Sequence, residues 1–271
     1  MQPEDNEAAL LTFLNVGKTF STQAGGKNVA LTDVDLTIRR GEFVSLVGPS
    51  GCGKTTLMKI GAGLLRHTYG TVKFEGRFAK PPPEKMGIVF QTATLLPWLT
   101  VTDNIIFPAV IRRKSLREAH VRAKELLTLL GLSDKSDRYP MELSGGMQQR
   151  VSIARALLLS PEVVFMDEPF GALDAMTRET LNQELQAIHQ KYQMTILFVT
   201  HSIPEAIFLS DRVAVMSAGP GRIVDVIDID YPRPRTLAML GNSSSHATEA
   251  QIRDIFSLAG NKQRIETRYA Q

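Results

Sequence analysis

The run Gly48-Pro49-Ser50-Gly51-Cys52-Gly53-Lys54-Thr55 has the pattern G-x-x-x-x-G-K-[ST]. Its glycines let backbone N–H groups turn inward around phosphate oxygens, and a helix starting near Lys54 aims its positive end at the same point. Lys54 is expected to reach the β- and γ-phosphates of a nucleotide, and the Thr55 hydroxyl to ligate Mg²⁺. Thr56 is expected to add an α-phosphate contact. Cys52 fills a variable slot where a small residue fits. A bulky thiol reagent there is expected to block nucleotide binding, with prior ATP protecting.

A second group of candidates follows an apolar run. Val163-Val164-Phe165-Met166 ends at Asp167 and Glu168. An acidic pair capping a buried strand needs a partner, and a metal supplies one. Asp167 is placed to hold Mg²⁺ directly or through water. Glu168, one residue on, is the candidate to polarise an attacking water. His201 ends a third apolar run, Met194-Thr195-Ile196-Leu197-Phe198-Val199-Thr200, where it can hold a γ-phosphate and a water in line.

These residues must be positioned by strands. Phe43-Val44-Ser45-Leu46-Val47 is a short apolar run ending at Gly48, followed by a helix expected from Lys54 to Leu65. Three buried strands separated by helices predict an α/β fold with a mostly parallel sheet and helices on both faces. The reactive residues all sit at the strands' C-terminal ends, where open α/β sheets bind ligands. From Leu11 to about Phe43 the alternation of apolar and polar residues predicts antiparallel strands, broken by the turn-like Ala24-Gly25-Gly26-Lys27-Asn28. Ser115-Leu116-Arg117-Glu118 fits a capping box, after which Ala119, Ala123, Leu126, Leu127 and Leu130 share one helical face and Gly131 can end the helix. Another helix is expected from about Gly146 to Leu159. The helical block from about 104 to 159 reads as an inserted subdomain. Residues 1–10 read as a loose tail, 11–235 as the main domain and 236–271 as a short extension with a helix from about Glu249 to Leu258.

The 271 residues suffice for one large domain with a sizeable core. A net charge of +3 without a dense Lys/Arg run argues against a nucleic-acid partner. The single Cys permits no internal disulfide and fits a reducing compartment. The acidic, polar start lacks the basic and apolar pattern of a secretory signal. No stretch reaches about 18 consecutive apolar residues, so any service to a membrane is expected to come through docking onto another chain.

Leu143-Ser144-Gly145-Gly146-Met147-Gln148-Gln149-Arg150 resembles the signature sequence of the ATP-binding cassette (ABC) family. The resemblance covers roughly Leu11 to Arg235, with the motifs in the family's order. It implies a P-loop NTPase core with an N-terminal antiparallel β subdomain and an inserted α-helical signature subdomain. Phe20 matches the aromatic position that stacks on adenine, with Phe in place of the commoner Tyr. Gln91, after Gly87-Ile88-Val89-Phe90, matches the glutamine that touches Mg²⁺ and senses the γ-phosphate. Ala172-Leu173-Asp174 matches the segment that crosses the dimer interface, and His201 the switch histidine. Ser144, Gly145 and Gly146 form a second helix N-terminus with exposed N–H groups. In the family two cassettes pair head to tail, with each ATP between the first loop of one chain and the signature of the other. The segment Thr94 to Asn104, with the only Trp at Trp98, matches the region that receives a helix from the membrane subunit.

Leu96-Pro97-Trp98-Leu99-Thr100 and Ser217-Ala218-Gly219-Pro220-Gly221-Arg222-Ile223, followed by Tyr231-Pro232-Arg233-Pro234-Arg235, look like the importers of nitrate, aliphatic sulfonates and taurine. That group includes importers of bicarbonate and of pyrimidine-type vitamin precursors. The resemblance implies an ATPase at the cytoplasmic face of the membrane, paired with a second cassette and a separate permease, and served by a solute-binding protein. The main rival is a soluble ABC ATPase of DNA repair or translation. The interval between Gln91 and Ser144 is too short for the long coiled coil of repair members, and one chain holds one cassette rather than two. A different P-loop enzyme lacks the signature, and a scaffold does not need every catalytic position filled.

Overall fold

The computed structural model describes residues 9–21, 25–78 and 85–269, with side chains described as far as 256. In chain order the strands and helices begin with β1 (Ala9–Ser21), β2 (Lys27–Arg39), β3 (Phe43–Val47) and α1 (Lys54–Gly61). Next come β4 (Tyr69–Phe74), β5 (Arg77–Phe78), β6 (Met86–Val89), α2 (Val101–Ile111), α3 (Leu116–Leu129) and α4 (Gly145–Leu157). The chain continues through β7 (Val163–Asp167), α5 (Ala175–Tyr192), β8 (Thr195–Val199), α6 (Ile203–Leu209), β9 (Arg212–Met216), β10 (Ile223–Asp228) and α7 (Ser243–Tyr269). It divides into two compact units, one of Met1–Pro83 with Thr195–Gln271, the other of Glu84–Met194.

In the first unit, β1 pairs antiparallel with β2 and with β4, and β4 with β5. This is the antiparallel layer expected from the period-two alternation. β3 lies parallel to β8 and to β9, and β10 closes antiparallel on β9. Every residue of β3 and β8 is buried, as their unbroken apolar runs require. In the second unit β6 pairs parallel with β7. Around that pair lie α2 to α5, with α4 against α2, α3, α5 and β6.

Helix ends follow local chemistry. The Ser115 hydroxyl accepts from the Glu118 N–H at 3.4 Å, and Ala119, Ala123, Leu126 and Leu127 are buried. Gly131, at φ +63°, ends α3 with Leu132 N–H bonded to Leu127 O and Gly131 N–H to Thr128 O, a Schellman arrangement. The same arrangement stops α1 at Gly61, short of the expected Leu65: Gly63 N–H reaches Ile60 O and Leu64 N–H reaches Lys59 O. Glycine at 63 takes the left-handed conformation that makes both bonds available.

Other expected boundaries move as well. Residues 1–8 of the expected tail lie outside the described residues, whereas Ala9 and Leu10 belong to β1, with Leu10 buried. The signature helix runs Gly145–Leu157, one residue earlier at its start and two at its end than expected. The expected helix at Glu249–Leu258 is the middle of the longer α7, and the extension is tied to the core. Ile252, fully buried, joins Val47, Ile207, Val213, Val215 and Ile227 in one apolar cluster. Arg235 anchors the chain ahead of it. Its guanidinium donates to the carbonyls of Ile207, Phe208, Ser210, Ile229 and Tyr231 at 2.7–3.2 Å, and burial pushes its pKa down to about 10.

Candidate nucleotide site

The candidate residues divide between the two units. In the first unit, β3 delivers the chain to Gly48 and α1 begins at Lys54. A Cβ on Gly48 would lie 2.8 Å from Cys52 Sγ and 2.9 Å from Met216 O, so only glycine fits. Gly51 and Gly53 hold φ of +78° and +97°, and a Cβ on Gly51 would meet nothing within 4 Å. The loop therefore has an open side where a ligand has room. Gly53 caps α1 without any side-chain hydrogen bond. The first N–H groups of α1 are thus not taken by a capping side chain, which is what an anion site at a helix start requires.

The Lys54 ammonium donates to Gly48 O at 2.8 Å and Pro49 O at 3.1 Å, and the Cys52 N–H closes on Pro49 O at 3.3 Å. Pro49 and Ser50 are exposed on the rim, and Thr55 and Thr56 are half-buried in the first turn of α1. Cys52 differs from the expectation of an accessible thiol. It is fully buried, its Sγ lies 3.8 Å from Lys54 Nζ, and burial raises its pKa, with Lys54 opposing. Its side chain packs under the loop.

Phe20, near the end of β1, keeps 36% of its surface exposed, and the Lys18 ammonium sits 4.8 Å from its ring centroid. An exposed aromatic face beside a cation is a usable stacking platform. His201 is exposed just beyond β8. Its turn is fixed by Thr200, whose hydroxyl bonds the buried Glu205 carboxylate and accepts from the Ser202 N–H at 3.0 Å.

In the second unit, Asp167 is the last residue of β7, and Glu168 follows at φ +44°, rare for a residue with a Cβ. That strained turn closes through Gly171 N–H to Glu168 O at 3.1 Å. A Cβ on Gly171 would lie 3.5 Å from Gln91 Nε2 and 3.6 Å from Glu168 Oε2. The ends of Gln91 and Glu168, 77 positions apart in sequence, thus flank one point, and glycine at 171 leaves it open. Ser144 caps α4 by accepting from the Met147 N–H at 3.4 Å, and Gly145 and Gly146 form its first turn. Gly146 is packed so tightly that a Cβ would lie 2.6 Å from Thr177 Cγ2. Asp174 caps α5. It accepts from the Thr177 N–H at 3.0 Å and hydroxyl at 2.7 Å, and those bonds hold its carboxyl below the usual range. Its charge is committed to the helix start, a role the sequence reading did not assign.

Three positioning residues escaped the sequence. Gln149 donates to Phe90 O at 3.0 Å, and Arg155 donates to Ala93 O and Thr94 O at 2.8 and 2.9 Å. The signature helix therefore grips the chain on both sides of Gln91. Asn104, fully buried, donates to the carbonyls of Leu96, Leu99 and Thr100 at 3.0–3.1 Å and accepts from the Leu96 N–H at 2.8 Å. It shapes the loop on which Trp98 stands 70% exposed. Thr100-x-x-Asp103, which caps α2, was the available sequence signal for that region.

The donors in question are a hydroxyl (Thr55), an amide (Gln91) and a carboxylate (Asp167). Each is an oxygen ligand of the kind Mg²⁺ takes, the first in one unit and the other two in the second; Mg²⁺ keeps several waters and binds through one or two carboxylates plus substrate phosphates rather than in a protein cage. Among the described residues no helix is long and apolar enough to cross a membrane.

A model of the ABC transporter family matches residues 31–171. The aliphatic sulfonates import ATP-binding protein SsuB of Bacillus licheniformis is 47% identical over 212 residues, which cover 78% of this chain and 81% of that one. The bicarbonate transport ATP-binding protein CmpC of Synechocystis is 47% identical over 225 residues, 82% of this chain but 34% of that longer one. Among solved structures, the dimeric ABC transporter cassette MJ0796 superposes with a TM-score of 0.73 at 33% identity, covering 82% of this chain and all of that one. The same cassette, in a post-hydrolysis state with ADP and Pi, gives 0.72. The motifs, the P-loop architecture and these likenesses agree: the chain belongs to the ABC transporter family, as one of its ATP-hydrolysing cassettes.

Proposed function

We propose that this ATPase drives a small-anion importer of the nitrate, sulfonate and bicarbonate type, acting as a head-to-tail pair of cassettes beneath a separate membrane permease. The observation that carries this reading is a pair of glycine-bordered helix starts, the first uncapped by any side chain and the second capped by Ser144 only at the Met147 N–H. α1 begins after the left-handed Gly53 with no capping side chain, and α4 begins with Gly145 and Gly146 behind Ser144. Both present clustered N–H groups to an anion. Two such sites serve one terminal phosphate when two chains face each other, so ATP holds the pair together and its hydrolysis releases it.

In the cycle proposed, Phe20 stacks on the base, while Lys54 and the amides of Gly48–Thr56 hold the phosphates. Thr55, Gln91 and Asp167 would hold Mg²⁺, which supplies charge neutralisation on the phosphate oxygens. Glu168 accepts the proton of the attacking water, a contribution of about 10²–10⁴ in rate. His201 holds that water and the γ-phosphate in line. The partner's Ser144-Gly145-Gly146 amides take up negative charge on the transferring phosphoryl, and Asp174, capping α5, keeps the following segment in shape at the pair's interface. The Trp98 loop, exposed and shaped from below by Asn104, is the face offered to the permease. The cassette is peripheral, on the cytoplasmic side, and a solute-binding protein delivers the anion to the permease.

The test is uptake in a deletion strain across sulfonates, nitrate, bicarbonate and pyrimidines. Loss of one small anion's uptake, restored by the wild type and not by Glu168→Gln, is expected. Unchanged uptake of all of them, with ATPase activity intact, would assign the chain to the soluble ABC ATPases instead.

A further inference from the structure

The hairpin Ser217-Ala218-Gly219-Pro220-Gly221-Arg222 joins β9 to β10, and the structure makes it the floor of the phosphate loop. Gly221 is buried. Its N–H donates to Ala30 O at 2.9 Å, its carbonyl accepts from the Thr32 N–H at 3.0 Å, and it forms a parallel bridge with Leu31 of β2. A Cβ on Gly221 would lie 1.8 Å from the Cys52 carbonyl oxygen and 3.0 Å from its carbon. On the same loop, a Cβ on Gly53 would lie 2.6 Å from Leu31 Cδ2 and 3.0 Å from Ala30 O. The backbones of the phosphate loop and the hairpin thus meet closer than a side chain at 221 allows, while Gly53 packs against the Leu31 side chain and the Ala30 carbonyl of β2. The hairpin is closed by Ser217, whose N–H reaches Arg222 O at 3.0 Å and whose hydroxyl accepts from the Arg222 N–H at 3.2 Å.

We propose that Gly221 is a positioning residue for ATP binding: by lacking a side chain it lets the β9–β10 hairpin support the Cys52 carbonyl from below and clamp the phosphate loop against β2. This rests on the reading of Gly48–Thr56 as the phosphate site. The φ of Gly221 lies outside the left-handed region, so alanine is compatible with the backbone there and its effect comes from the contact alone. Two hydrogen bonds to β2 hold the hairpin in place, so the loop carbonyl is the part that yields.

The experiment compares full-length Gly221→Ala with Gly219→Ala, a control two residues away whose Cβ would meet nothing within 4 Å. Nucleotide titration and steady-state ATPase assays give Kd, KM and kcat. For Gly221→Ala, Kd and KM for ATP rise at least about tenfold while kcat at saturation stays within about twofold. Gly219→Ala leaves all three within about twofold, as does a change that merely loosens a surface turn. A second variant, Ser217→Ala, keeps the glycine but loosens the hairpin by removing the hydroxyl that accepts from the Arg222 N–H, and raises Kd roughly threefold. Wild-type affinity in a folded Gly221→Ala, or in Ser217→Ala should the former not fold, overturns the proposal. Lys54→Ala reports separately on the phosphate site: if that variant binds ATP normally, the reading of the loop itself fails.

Discussion

Arg150 and Glu184 are joined by two parallel hydrogen bonds, Nε to Oε2 at 2.9 Å and Nη2 to Oε1 at 2.8 Å. They tie α4, which begins at the signature, to α5, which begins behind Asp174. Burial raises the Glu184 carboxyl, and Arg150 opposes it without overcoming it. Folding therefore favours the protonated form. The cost of this burial is absent below the unfolded pKa and sets in as pH rises through the window up to the raised folded value. Relative to Glu184→Gln, the wild type should gain stability as pH falls from 7 into the carboxylate range, read by denaturant unfolding at several pH values. A wild-type advantage that shrinks on acidification would mean that attraction to Arg150 dominates.

Cys52 should be a slow thiol. With its side chain buried and its pKa raised by burial, the thiolate is scarce at neutral pH. Iodoacetamide labelling of the native chain at pH 7.5 should run about a hundredfold or more below free cysteine, and bound ATP should slow it further. Urea should restore the free rate. Labelling of the native chain at the free rate would place the thiol outside the loop's underside.

Asn104 should matter to coupling rather than to hydrolysis. Asn104→Asp keeps the volume but removes the donors to Leu96, Leu99 and Thr100. The Trp98 loop then loses its template. Uptake should fall at least about tenfold while ATP affinity of the purified chain changes less than about twofold. An equal loss of both would make Asn104 a general core residue.

The C-terminal segment should contribute to stability. Ile252→Ala opens a cavity in a cluster that includes Val47 of the strand leading to Gly48, and should cost about 3 kcal/mol. Arg235→Lys should cost on the order of 2–3 kcal/mol, because an ammonium cannot reach five carbonyls that a planar fork does. Unfolding midpoints with unchanged m-values measure both. A change below about 0.5 kcal/mol would show the segment to be detachable.

The strands that carry the candidate residues were legible because they are continuous apolar runs, which stop at Gly48, Asp167 and His201. Helix α3 was legible because Ser115 and Gly131 mark its ends chemically. Helix α7 extends beyond its sequence signal because Ser243 to Thr248 is polar and only Ile252 and its neighbours signal packing. The start of helix α2 carries little sequence signal because Val101–Ile111 is apolar on most sides and contains Pro108, which hides the period of 3.6. The buried thiol of Cys52 and the floor at Gly221 had no sequence signal. The floor at Gly221 arises from contacts of backbone atoms between segments far apart in the chain, and side-chain patterns do not record those.

The most direct test of the account is the mass of Glu168→Gln in solution with saturating ATP and Mg²⁺, measured by sedimentation. Slowed proton acceptance should leave ATP intact and the chain dimeric, reverting to monomer when Ser144 is replaced by Arg. A nucleotide-loaded Glu168→Gln that stays monomeric, or a dimer indifferent to Ser144→Arg, would contradict the sharing of one γ-phosphate by two chains.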